Sequence, residues 1–178
     1  EGGLMLSYGM THEAGALFRE LLDENAAVAP GTRNQAWFYL GKVFYLEGNQ
    51  ALARENLNRV DGEILAEADH DLFREWIYLR SRLVMMSARP DDEPELASLR
   101  EQLDETDIWS LYLRYNSAVS ALDAADGAAA EEALKKLIAI LDQSIDSVEP
   151  DAEREGLLGR ARLSLAGLYL RDNQFEAA

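Results

Sequence analysis

The strongest constraint on this chain is a spacing that recurs along it. Trp37, Leu40, Gly41 and Phe44 are followed by Gly48, Ala53 and Leu57. On a helix, Leu40, Gly41 and Phe44 share one face, and Ala53 and Leu57 form the answering face of a second helix that Gly41 lets approach closely. Gly48-Asn49 lies between them, where a turn and an N-cap belong. Counting outward, Gly41 has counterparts at Gly2, Arg80, Ala118 and Ala166, at intervals of 39, 39, 38 and 48 residues. Ala53 recurs as Ala14, Ala130 and Ala178, with Asp92 as the exception. Four residues after this position stand Phe18, Leu57, Leu96 and Leu134, and three further on Leu21, Val60, Leu99 and Leu137. Such a chain is expected to fold as successive helical hairpins, each burying its apolar side on the next.

The Trp37-x-x-Leu40-Gly41-x-x-Phe44 stretch, with Gly48, Ala53 and Leu57 after it, resembles the tetratricopeptide repeat family. That resemblance implies an all-α fold, an α-α superhelix or solenoid of antiparallel helix hairpins. It also implies a concave groove lined mainly by the first helix of each hairpin. The chain departs from the family in three ways: its period exceeds the usual length of about 34 residues, Arg80 replaces a small residue, and Pro90 and Pro94 shorten the third hairpin's second helix. Residues 1–178 read as a single repeat domain, a segment of a longer protein.

Helices are expected near 11–27, 32–47, 49–60, 69–88, 93–105, 107–125, 127–147 and 151–172. Glu1-Gly2 enters partway through an earlier one. Thr32 with Gln35 reads as a capping box and Asn49 as an N-cap. Pro30-Gly31, Asp61-Gly62 and Asp126-Gly127 read as breaks. Ala and Leu dominate and only four prolines occur, which favours helix. Trp37 and Trp76 occupy the same repeat position and are expected in the core, whereas Trp109 falls outside it.

With 33 acidic and 17 basic residues the net charge is −16, so the surface repels nucleic-acid backbones and anionic headgroups. No run approaches the roughly 20 apolar residues of a spanning helix, and the start lacks the basic region of a signal peptide. The absence of cysteine excludes disulfides and thiolate metal sites. Acidic, Ala/Leu-rich repeats with a period near 39 also resemble tetratricopeptide proteins of the Gram-negative cell envelope.

Nothing in the sequence reads as an active site, so the chain is expected to be non-enzymatic, without cofactor or metal. His12 opens a helix, where a solvated residue is the simpler reading. Glu67, Asp69, His70 and Asp71 are metal-ligand types, but Asp69 or Asp71 is read as the cap of the helix that begins there. Asp91-Asp-Glu-Pro-Glu95 lacks the spacing and central glycine of a calcium loop.

Carrying over the groove-facing positions gives Gln35, Phe38, Lys42 and Tyr45 from the second hairpin and Arg74, Ile77, Ser81 and Met85 from the third. Tyr112, Tyr115, Val119 and Asp123 follow from the fourth, and Arg160, Leu163 and Arg171 from the fifth. The proposed first helices sum to +3, against −19 for the rest. The expected partner is therefore a protein or peptide with acidic groups or a free carboxylate, held between aromatic surfaces. The competing readings are basic first helices merely paired with acidic second helices, and a structural segment that self-associates end to end.

Overall fold

The computed structural model describes residues 2–23, 27–87, 93–145 and 151–171. Among them are ten α-helices and no strand: α1 (Gly2–Ser7), α2 (Thr11–Leu21), α3 (Pro30–Leu46), α4 (Gln50–Leu57), α5 (Gly62–Ala68), α6 (His70–Ser87), α7 (Glu93–Arg100), α8 (Ile108–Asp123), α9 (Gly127–Ile145) and α10 (Ala152–Arg171). They fall into two compact units, Glu1–Leu99 and Arg100–Ala178. None of the described helices is long and apolar enough to cross a membrane.

In the first unit α1 packs on α2, α2 on α3, and α3 on α4. The recurring columns explain these contacts. A Cβ added at Gly2 would lie 2.3 Å from Cζ of Phe18, and one at Gly41 would lie 2.7 Å from Cγ of Leu57. Both pairs are separated by 16 residues in sequence. In the second unit Ala118 and Leu134 have the same separation and are buried in one apolar cluster. The second-helix column is equally consistent, since Ala14, Ala53 and Ala130 are all fully buried. Asp92 and Ala178 lie outside the described residues.

One element was not expected. Asp61-Gly62 is not a simple break but the start of α5, whose Asp61 cap accepts hydrogen bonds from the backbone N–H groups of Glu63 and Ile64. Buried Asn34 on α3 clamps this cap: its Nδ2 donates to the Asp61 carbonyl and its Oδ1 accepts from the Asp61 N–H, both at 2.8 Å. Leu65 completes the seal as a fully buried side chain. Trp76 then fixes α6 to the end of α4, its Nε1–H donating to the Leu57 carbonyl at 2.9 Å.

The helix ends correct further expectations. Pro30 does not break the chain but is the first residue of α3, where its missing N–H and fixed φ cost nothing, and the N-cap Ala29 makes no side-chain bond. Thr32 therefore lies inside the helix and caps nothing. Asn49 does cap α4, accepting from the Leu52 N–H at 3.2 Å, and Asp126 accepts from the Ala129 N–H at 3.1 Å. α7 stops at Arg100 rather than near 105, and α2 stops at Leu21. Trp37 is only half-buried, its ring covered by the Arg59 guanidinium at 4.5 Å.

The second unit is built on α8, α9 and α10, which pack pairwise around Leu111, Ala118, Leu134, Leu137, Leu141, Leu157 and Ala161. Polar ties join α9 to α10 at the surface. The Tyr169 hydroxyl donates to Glu131 at 2.9 Å, and Arg162 pairs with Asp142 at 2.8 Å. Hydrogen bonds from Lys135 and Tyr169 hold the Glu131 carboxyl below its usual pKa.

Candidate interaction surface

In the first unit the expected groove column does not form one surface. Phe38, Ile77 and Ser81 are all 0% exposed and cannot touch a ligand. The reason is packing. α3 is contacted by α1, α2, α4, α5 and α6, so buried positions run around it: Asn34, Ala36, Phe38, Leu40, Gly41 and Val43. A helix enclosed on several sides has no free stripe to offer. α6 likewise buries Trp76, Ile77, Leu79, Ser81, Leu83 and Val84, positions that do not share one face.

The basic members of the column in this unit have acidic neighbours. Lys42 Nζ lies 2.6 Å from Glu75 on α6, and Arg74 lies 2.5 Å from Asp71 one turn earlier. Gln35, Tyr45 and Met85 are half-buried. Gln35 lines a cleft of about 450 Å³ together with Gly3, Leu17, Phe18 and Tyr39. The Tyr39 ring stacks on Phe18 at 5.0 Å, and burial, with Glu75 and Asp69 nearby, raises its pKa.

The second unit does bring predicted residues together. α8 and α10 pack on one another, and Tyr112, Tyr115 and Val119 are half-buried on α8. Arg160 of α10 lies over the Tyr112 ring, its Cζ 5.9 Å from the centroid. The Tyr115 and Ser164 hydroxyls are hydrogen-bonded at 3.3 Å. Leu163, one residue before Ser164, leaves 74% of its surface in water. Arg171 is exposed in the last turn of the same helix. Trp109 is half-buried with its ring tilted against Tyr112 at 6.1 Å.

One neighbour of this surface was missed. Burial raises the Tyr112 pKa first, and the charge and hydrogen bond of Glu153 raise it further, while Arg160 opposes them. Tyr112 thus stands between an acid and a base on one helix. Glu153 precedes Arg160 by seven residues, two turns along the same face, so the spacing was visible in the sequence.

Asp69 accepts hydrogen bonds from the Asp71 and Leu72 N–H groups, capping α6 as one of the two expected acids, and the His70 ring stacks on Phe73 at 5.9 Å. Among the described residues no three His, Asp or Glu side chains are grouped to hold a metal ion.

No family model, curated protein or solved structure matches this chain. Its function is therefore read from its own surfaces.

Proposed function

We propose that the chain is a non-enzymatic interaction module, a tetratricopeptide-like stack of helical hairpins that holds a protein segment against α8 and α10. The supporting observation is that Arg160 lies over Tyr112 and Ser164 bonds Tyr115 across adjoining helices, with exposed Leu163 next to Ser164 on α10. Exposed apolar area beside aromatic rings and an arginine is the composition of interface hot spots. A guanidinium already oriented over a ring loses little freedom when it meets a carboxylate. Repetition of the close approach of a glycine to a large apolar side chain at Gly2–Phe18 and Gly41–Leu57 supports the hairpin-repeat reading. A superhelix follows if successive hairpins keep that geometry.

The test is affinity capture from the source cells with three variants. Leu163→Glu and Arg160→Glu are expected to lose a partner that the parent chain retains, whereas Lys136→Glu on α9 retains it. Equal retention by all three would remove this surface from consideration.

A further inference from the structure

On the opposite side of α8 a second site takes shape. Ser110, Leu113 and Arg114 lie half a helical turn away from Tyr112, Tyr115 and Val119. They line a cleft of about 420 Å³ together with Arg100, Glu101, Leu103 and Glu105. Leu103 and Leu113 are buried and form its apolar floor. Arg100 is anchored by donating from Nη2 to the Ser117 hydroxyl at 2.8 Å.

Arg114 is half-used. Its Nη2 donates to Glu105 Oε1 at 3.2 Å, and the Glu105 side chain is 82% exposed. Its Nε is buried with no hydrogen-bond partner. Nε–H and the N–H of Nη2 lie on the same edge of the guanidinium plane, the edge that grips both oxygens of a carboxylate. An unpaired buried donor is costly, and here a single ligand would satisfy it.

We propose that this cleft is a carboxylate-binding site, in which a peptide carboxylate takes both Nε and Nη2 of Arg114 and displaces Glu105 into solvent. Arg100 supplies the second positive charge, and Leu103 and Leu113 contact the carbon chain behind the carboxylate. Glu105 is an internal competitor that sets the threshold for binding. The proposal is independent of the α8–α10 surface, which uses other residues on the other face of the helix.

The experiment uses the full chain with ¹⁵N-labelled arginine and follows the Nε–H signal of Arg114 by NMR. The probes are acetyl-Ala-Glu-amide, which offers a side-chain carboxylate, and acetyl-Ala-Ala, which offers a terminal one. Either probe is expected to shift the Arg114 signal, and the tighter of the two identifies the source. Glu105→Gln should tighten binding about three-fold, the scale of an exposed ion pair. Arg114→Lys keeps the charge but loses the fork, and should weaken binding at least about ten-fold. Circular dichroism checks that both variants keep their helix content. No Arg114 shift in Glu105→Gln with either probe, or binding unaffected by Arg114→Lys, would overturn the proposal.

Discussion

Replacing Gly41 by alanine separates helix propensity from packing. In an exposed helix interior the substitution stabilises by about 1 kcal/mol. At Gly41 the new Cβ would lie 2.7 Å from Cγ and 2.8 Å from Cδ2 of Leu57, and 3.2 Å from that residue's backbone nitrogen. Carbon atoms settle at about 3.5–4.0 Å, so α3 and α4 must part or Leu57 must leave its rotamer. Leu57 is fully buried. Overpacking of this kind costs about 1–3 kcal/mol, so the net change is a destabilisation of about 1 kcal/mol. Gly15 is the control within the same unit. A Cβ there meets Val43 Cγ1 at 3.4 Å, ordinary contact, and Gly15→Ala should stabilise by about 0.5–1 kcal/mol. Urea melts of the two variants, read at equal m, measure the difference. A double variant, Gly41→Ala with Leu57→Ala, should cost less than the sum, because the methyl group fills part of the space that leucine leaves. If Gly41→Ala stabilised as much as Gly15→Ala, the close approach inferred for the repeated column would be refuted.

Asn34→Ala removes both bonds to Asp61 and leaves its backbone N–H unpaired, while its carbonyl keeps the bond from the Leu65 N–H. The expected loss is about 2–3 kcal/mol, with hydrogen exchange accelerating in α5 first. Tyr112 has its pKa raised above 10.0. Above pH 10 the unfolded chain gives up a proton that the native chain keeps, so stability falls as pH rises towards the folded pKa. Tyr112→Phe should flatten that decline in thermal melts, and Glu153→Gln should lower the pKa in a tyrosinate absorbance titration. Tyr169→Phe should raise the depressed pKa of Glu131, measured by carbon NMR of its carboxyl group; an unchanged value would show that the hydroxyl contributes nothing.

The sequence revealed helix positions and buried columns wherever one residue type had one role. Gly41, Ala53 and Leu57 declared themselves because a close helix pair needs a small residue opposite a large one. α5 was hidden because Asp-Gly serves equally as a break and as an N-cap with its first helical residue, and the deciding partner, Asn34, stands 27 residues away. Pro30 misled for a similar reason, since proline both ends helices and begins them. The groove column failed at Phe38, Ile77 and Ser81 because periodicity identifies a face but not what packs on it. Lys42 meets Glu75 only through the packing of α3 on α6, whereas Asp71 stands one helical turn before Arg74 in the sequence itself. In the second unit the packing leaves Tyr112 and Tyr115 half-buried and Arg160 exposed, so those positions of the column stay at the surface.

The most direct test of the interaction module is site-specific photo-crosslinking in the source cells. A photoreactive side chain at position 163, and separately at position 115, is expected to form adducts with the same contiguous segment of one partner protein. A third probe at position 136 on α9 should form none. Adducts at 163 and 115 that are no more abundant than at 136, or that map to unrelated proteins, would contradict binding through α8 and α10.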